Sequence, residues 1–256
     1  MNTQQQKPYR ILLIGDSCID KYHYGECKRL NPESASPLLT YNNTEINDGM
    51  CLNVFNNMKS FKNMHVELKT NKEKSIKHRY IDLRNNAQLL RVDYDVISNP
   101  INIDEIEINN YDTVAISDYD KGYISNDFLF SITKNNKVPI FIDSKKNLLP
   151  NENCYLKINE TEYDNLVDKN KHCNSIITLG SKGAKYLDKL YTTKFINNPN
   201  VIGAGDTFFA ALVVRYTETK NIEDSIAFAN KASFISVKNK GTYVLNNEDI
   251  NLLYRY

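Results

Sequence analysis

The stretch Val201-Ile-Gly-Ala-Gly-Asp-Thr-Phe-Phe-Ala-Ala-Leu212 is the most informative part of this 256-residue sequence. Two glycines surround Ala204 and lead directly into an apolar helix, so the backbone can approach a ligand closely. The helix N-terminus offers free N–H groups and the positive end of the helix dipole to an anion. Asp206 lies in the same turn, and accepting a proton from an attacking hydroxyl is a natural task for it there. A tight turn with a stabilising first-turn acid explains the spacing equally well.

Five short apolar runs elsewhere in the chain each end at a polar residue or a glycine. They cover residues 11–14, 113–116, 139–142, 155–158 and 175–178. Such runs are typical of strands that are buried on both faces, and segments such as 125–135 between them are compatible with helices. The alternation predicts an α/β fold in which helices cover both sides of a mostly parallel sheet. Ligands bind beyond the carboxyl ends of such strands, where Asp16, Asp118, Asp143 and Asn159 follow.

Two regions have a different pattern. Residues 36–49 and 75–93 are β-prone and contain no helix, and 84–87 is a plausible hairpin turn between two short runs. We expect them to form a small antiparallel sheet that projects from the main domain and acts as a lid. An edge extension of the main sheet is the alternative. Near the C-terminus, Asn221 with Asp224 has the pattern of a helix cap for a helix that continues to Val237.

Composition restricts the class of protein. Lys and Arg total 32 against 31 Asp and Glu, which gives no electrostatic footprint for nucleic acid. No apolar run is long enough to span a bilayer, and the first ten residues lack the apolar core of a signal peptide. The five cysteines are odd in number and form no C-x-x-C pair, which fits a reducing compartment. We therefore expect a single cytoplasmic domain over residues 1–256 that has no membrane or nucleic-acid partner.

A family resemblance adds to this interpretation. The segment Gly203-Ala-Gly-Asp206 resembles the signature of the ribokinase-like (PfkB) carbohydrate kinases. Further segments, in chain order, resemble the D-glycero-D-manno-heptose 7-phosphate kinase branch of that family. They are residues 15–25 with 29–37, 88–93, 117–122, 143–145 and 229–232. The resemblance implies a three-layer ribokinase-like sandwich with a β-sheet lid, and it implies ATP and Mg²⁺ as co-substrate and cofactor.

The resemblance also implies roles for individual residues. Asp206 would be the catalytic base, and the backbone at Gly203, Ala204, Gly205 and Asp206 would form the anion hole for the transferring phosphoryl group. Asn159 and Glu162 match the family's N-x-x-E and would organise magnesium and the nucleotide phosphates through water. The nucleotide pocket would be lined by Thr178, Gly183 and Asn230. The sugar phosphate would be held by Asp16, Asp20, Asn53, Lys145 and Arg29.

Each assignment has a structural alternative. Asp16 and Asp20 could be capping residues, Lys145 a solvated loop lysine and Asn230 a polar residue on a helix surface. Asn159 and Glu162 could be a helix cap with a first-turn acid.

The activity implied by this branch converts heptose 7-phosphate to a 1,7-bisphosphate for nucleotide-activated heptose synthesis. A homodimer through the lid is expected, with a separate nucleotidyltransferase completing the pathway.

The sequence also departs from the family pattern. The chain is shortened after Asn57 and after Tyr163, and Asp48-Gly49 replaces a double glycine near the sugar. Asn200 and Ile202 replace an aspartate and a threonine before the signature, which puts any monovalent-cation site in doubt. A second hypothesis follows, that of a degenerate kinase fold that binds a sugar phosphate, a nucleotide or a protein partner without turnover. A kinase for another sugar is a further alternative.

Overall fold

The computed structural model describes residues 7–134, 137–146, 153–166 and 174–255. Its main sheet has eight strands in the spatial order β12-β11-β10-β9-β8-β7-β1-β4. In chain order they are β1 (Tyr9–Gly15), β4 (Met64–Thr70), β7 (Thr113–Asp118), β8 (Ile140–Ser144), β9 (Cys154–Asn159), β10 (Ser175–Thr178), β11 (Ala184–Tyr186) and β12 (Lys189–Tyr191). The six strands β10, β9, β8, β7, β1 and β4 run parallel to one another. Strand β11 is antiparallel to β10, and β12 is antiparallel to β11.

Helices cover both faces of this sheet because successive strand residues point to opposite sides. Ile11 and Leu13 of β1 belong to one buried cluster with four of the helices, and Leu12 and Ile14 belong to a second cluster with one helix. The first group comprises α1 (Cys51–Lys59), α4 (Ala204–Thr219), α5 (Ile222–Ser236) and α6 (Asn247–Tyr254), and the opposite face carries α2 (Asn126–Thr133). The five predicted strands and the mostly parallel α/β sandwich are therefore confirmed.

The helices predicted at residues 125–135 and 221–237 are also present. Helix α2 occupies most of residues 125–135, and α5 begins after Asn221, whose side chain accepts a hydrogen bond from the Asp224 N–H at 3.1 Å. The shortened region after Asn57 also contains β4, which was not predicted. Its mixed residues Met-His-Val-Glu-Leu-Lys-Thr lack the continuous apolar character of the predicted strands. None of the described helices is long and apolar enough to cross a membrane.

A separate four-stranded sheet, which we call the small sheet, stands beside the main one. It has the order β3-β2-β5-β6 and comprises β2 (Ser17–Leu30), β3 (Pro37–Met50), β5 (Ser75–Asp82) and β6 (Ala87–Tyr94). The two predicted regions are present as β3 and as the β5–β6 hairpin, and they are not an edge extension of the main sheet. The small sheet is mixed and not purely antiparallel, because β2, which the prediction omitted, pairs in parallel with β5.

The two sheets are joined by very short connections. Only Asp16 separates β1 from β2, and helix α1 begins directly after β3. These two connections are hydrogen-bonded to each other, since the Cys51 N–H donates to the Asp16 carbonyl at 3.0 Å. The carboxyl ends of β1 and β7 and the start of α4 therefore lie close to the base of the small sheet.

Candidate active site

Helix α4 begins with a turn that only glycine fits well. Gly203 is its N-cap, with a left-handed φ of 74°, and a Cβ there would lie 2.7 Å from Nδ2 of Asn53. The Ala204 N–H already donates to the Val201 carbonyl at 3.3 Å. The remaining N–H groups of the first turn, at Gly205 and Asp206, have no partner within the helix. Of the backbone groups predicted to bind the anion, Gly205 and Asp206 therefore keep an N–H that is available to a ligand.

Asp206 is buried, with 5% of its surface exposed, and both of its carboxylate oxygens accept a hydrogen bond. Nδ2 of Asn53 donates to Oδ2 at 3.0 Å, and the Tyr119 hydroxyl donates to Oδ1 at 2.6 Å. Burial raises the pKa of Asp206 to about 6, while the bonds from Tyr119 and Asn53 oppose this rise. A carboxyl with this pKa is mostly ionised at neutral pH and is still basic enough to take a proton.

Tyr119 was not predicted as a site residue. It directly follows β7, within the segment 117–122 that resembles the heptose kinase branch, so only this motif could have drawn attention to it. Burial and the charge of Asp206 raise the pKa of Tyr119 well above its usual value, so the phenol keeps its proton and donates it to the carboxylate. Its ring also lies near two ammonium groups, Nζ of Lys77 at 5.7 Å and Nζ of Lys145 at 5.4 Å from the centroid.

A buried ion pair lies beside the start of α4. Nζ of Lys157 in β9 donates to Oδ2 of Asp143 at 2.7 Å, and a Cβ on Gly205 would lie 3.2 Å from the same Nζ. Burial disfavours the charge on Lys157, but Asp143 outweighs it, so the pKa of Lys157 is raised. Lys157 was also missed from the sequence, although a lysine inside the apolar run 155–158 is an unusual residue to bury.

A cavity of about 440 Å³ adjoins this turn. It lies between the carboxyl ends of β9 and β10, the first turn of α4 and the middle of α5. Six of the predicted site residues line it: Asn159, Thr178, Gly183, Ala204, Gly205 and Asn230. Lys157 lines it too, with Phe208, Phe234 and Val237 among the apolar residues. An apolar cavity with a cation and helix N–H groups at one end suits a nucleotide that carries phosphates.

Several of these residues also have structural tasks. Asn159 caps α3 (Glu160–Asp164) in a reciprocal capping box, in which its side chain accepts from the Glu162 N–H and Glu162 accepts from the Asn159 N–H, both at 2.8 Å. Glu162 does not line the cavity. Nδ2 of Asn230 donates to the Tyr191 carbonyl at 2.7 Å, and a side chain at Gly183 would collide with that same carbonyl.

Of the residues predicted to hold the sugar, Asn53 and Asp20 lie near Asp206, whereas Asp16 has a structural role. Asn53 contacts Asp206, as described above. Asp20 faces the same region from the small sheet, where its Oδ1 accepts from Nε of Arg79 at 3.0 Å. Asp16 is fully buried, and its carboxylate accepts from the backbone N–H groups of Tyr119, Lys121 and Tyr123 at 2.9, 3.2 and 3.3 Å. Asp16 therefore organises the loop that carries Tyr119.

Lys145 and Arg29 differ sharply in position. Lys145 is exposed, and its ammonium group lies over the ring of Tyr119, whose hydroxyl donates to Asp206. Arg29 is near the far end of β2, nine residues from Asp20, which is about 30 Å along an extended strand. Within one chain it is therefore remote from Asp206.

The two departures before helices α1 and α4 also have local explanations. Asp48 accepts a hydrogen bond from Nδ2 of Asn56 at 2.9 Å, while the glycine at 49 is the position where a side chain would collide with Oδ2 of Asp20. Nδ2 of Asn200 donates to the carbonyls of Asn239 and Gly241 at 2.8 and 3.2 Å. The Asn200 amide thus already donates to both of these carbonyl oxygens.

Comparisons with known proteins agree with this site. The family described as "pfkB family carbohydrate kinase" matches residues 125–249, which include the cavity lining and the whole of helices α4 and α5. The bifunctional protein HldE of Nitratiruptor sp. is 27% identical over 94% of this chain and 64% of its own length. HldE of Campylobacter jejuni is 25% identical over 98% of this chain and 66% of its own length. The chain thus spans just under two thirds of these relatives.

Solved structures show the fold. Ribokinase from Thermotoga maritima aligns with a TM-score of 0.68 at 16% identity and covers 97% of this chain and 100% of its own. Phosphofructokinase-2 from Escherichia coli aligns with a TM-score of 0.70 at 14% identity, over 97% of this chain and 99% of its own. The ribokinase-like fold is therefore confirmed. The family match over residues 125–249 also confirms the resemblance to the PfkB carbohydrate kinases.

Proposed function

We propose that the protein transfers the γ-phosphoryl group of ATP to a hydroxyl of a phosphorylated sugar, and that heptose 7-phosphate, giving the 1,7-bisphosphate, is its substrate. The observation that carries the proposal is the position of Asp206. It is a buried carboxylate at the start of α4, with the nucleotide-sized cavity on one side and the base of the small sheet on the other. The choice of a heptose as the sugar rests on the motifs that resemble the heptose kinase branch.

The chain's own residues suit the steps of this reaction. Asp206 accepts the proton of the attacking hydroxyl, because its pKa of about 6 leaves it ionised at neutral pH. The free N–H groups of Gly205 and Asp206 face the charge that develops on the transferred group. Lys157, held by Asp143 beside Gly205, adds a positive charge at the phosphate end of the cavity. Asn53 and Tyr119 keep the base oriented.

Magnesium fits this arrangement through its oxygen ligands. Kinase sites bind Mg²⁺ through one or two carboxylates, several waters and the substrate phosphates. Among the described residues no group of three or more His, Cys, Asp and Glu side chains is arranged to hold a metal ion. Asn159 lines the cavity, and the capping box fixes Oε2 of Glu162 beside it. These two residues would hold the ion through water. The ion would neutralise charge on the nucleotide phosphates.

The proposed partners follow from the proposed reaction. We place the enzyme in nucleotide-activated heptose synthesis in the cytoplasm, with a nucleotidyltransferase step acting later. A homodimer through the small sheet would bring Arg29 of one copy toward another copy, which gives a role to a residue that is remote from Asp206 within its own chain.

The test is an ADP-release assay with ATP, Mg²⁺ and a panel of sugar phosphates, in which wild type is compared with Asp206→Asn. Turnover of heptose 7-phosphate that is lost in the variant supports the proposal. Turnover of another sugar phosphate, such as fructose 6-phosphate, keeps the mechanism but refutes the heptose. ATP binding without turnover of any acceptor would favour a non-catalytic binder. Undiminished turnover in Asp206→Asn would refute the base assignment.

A further inference from the structure

Two of the cations around Asp206 have no carboxylate partner of their own. Three acidic side chains in this region each pair with their own cation. Asp20 contacts Arg79 at 3.0 Å, Asp118 contacts Lys146 at 2.8 Å, and Asp143 contacts Lys157 at 2.7 Å. Asp206 and Asp16 are satisfied by neutral donors, as described above. Each of these five carboxylates thus already has a cation or a hydrogen-bond donor as its partner.

Lys77 and Lys145 are the cations that remain. Within the described part of the chain neither forms an ion pair, and each ammonium group lies over the neutral ring of Tyr119. Asp93 is opposite Lys77 in the β5–β6 register, but its carboxylate is already bound by Arg91 at 2.7 Å. An ammonium group over an aromatic ring gains much less than one that is hydrogen-bonded to an anion. Both lysines are therefore available to a stronger, negatively charged partner.

The two lysines come from different parts of the fold. Lys77 is on β5 of the small sheet, in register with Asp20 of β2, and Lys145 directly follows β8 of the main sheet. Tyr119 lies near both ammonium groups and bonds to Asp206 through its hydroxyl. One tyrosine ring therefore separates the lysines from the base.

We propose that Lys77 and Lys145 form a subsite for the phosphate group of the acceptor, and that Lys77 makes the enzyme select phosphorylated over neutral sugars. The proposal rests on the proposed kinase function and adds the lid residue that recognises the substrate class. Since the two lysines belong to the two sheets, the bound phosphate would also join the small sheet to the main domain.

The kinetic test compares Lys77→Met and Lys145→Met with wild type, using the sugar phosphate that is turned over and the same sugar without its phosphate. Loss of one charge-assisted hydrogen bond should raise KM for the phosphorylated acceptor about 10- to 100-fold, with KM for the neutral sugar unchanged. Lys72→Met, at an exposed lysine in the turn before β5, is the matched control and should behave as wild type. Equal losses with both acceptors would overturn the subsite.

A binding test keeps the inference separable from the proposed function. Inorganic phosphate is titrated into protein saturated with ADP and followed by ³¹P NMR line broadening. Weaker phosphate binding in both lysine variants, with Lys72→Met unchanged, supports the subsite even if no sugar is turned over. Phosphate binding as tight in Lys77→Met as in wild type overturns it, whatever the kinase assay shows.

Discussion

Replacing Tyr119 by Phe tests how the site keeps its base ionised. The substitution preserves the ring and removes the hydroxyl that donates to Oδ1 of Asp206 at 2.6 Å. A hydrogen bond to a charged group contributes about 1.5–3 kcal/mol, which corresponds to about 1–2 pKa units. The pKa of Asp206 should therefore rise from about 6 toward roughly 7–8, because burial is then opposed by Asn53 with less help.

The assay is the pH profile of kcat/KM, which reports the essential base of the free enzyme. With a base pKa near 7.5, Tyr119→Phe should lose about 15-fold at pH 6, about 4-fold at pH 7 and almost nothing by pH 9. Tyr123→Phe, in the same loop, is the control and should keep the wild-type profile. An acid limb that stays near pH 6 in Tyr119→Phe, with an equal loss at every pH, would refute this role for the phenol.

Five further outcomes follow from the site. Asp206→Asn should lower turnover about 10²- to 10⁴-fold. Because the folded-state pKa of Asp206 is raised from 3.8 to about 6, wild type should lose about 3 kcal/mol of stability from this group as pH rises through that interval; urea unfolding from about pH 4 to 7 should show the gap between wild type and Asp206→Asn widening in favour of the variant. Gly203→Ala should destabilise by about 1–3 kcal/mol, since its φ is left-handed, and thermal unfolding measures this; an unchanged Tm would contradict the strain. Lys157→Met should cost about 3–5 kcal/mol by leaving Asp143 unpaired, and adding Asp143→Asn should recover part of the loss in the same unfolding experiment. Finally, since the Asn200 amide already binds the nearby carbonyls, exchanging K⁺ for tetramethylammonium should leave kcat/KM unchanged, and a K⁺ requirement would contradict this.

The main sheet could be predicted because its central strands are buried on both faces. The runs around Ile11, Val114 and Ile140 are apolar without interruption, and all three are confirmed as strands. The start of α4 could also be predicted, since two glycines before an apolar helix restrict the backbone to few conformations. The cavity is lined by residues that are far apart in sequence, such as Thr178 and Asn230, and these were predicted from the family resemblance.

The small sheet and the second half of the site were harder to predict. Strand β2 mixes charged, aromatic and small residues because one of its faces carries site residues, so its sequence resembles a loop motif and not a strand. Tyr119 and Lys77 meet only through tertiary structure, and neither has a distinctive local pattern. Asp16 could be read as a ligand from sequence, but its oxygens are taken up by three backbone N–H groups that only the folded loop brings together.

The single residue between β1 and β2 has a mechanical consequence. Ser17 pairs with Met50 at the base of the small sheet, and the Asn71 side chain binds both the N–H and the carbonyl of Ser17. The β1–β2 connection, the start of α1 and the turn after β4 are thus hydrogen-bonded together at one point, which fixes this end of the small sheet to the main sheet. Asp16 also accepts a hydrogen bond from the Tyr119 N–H, so the same junction sets the position of the phenol that donates to the base.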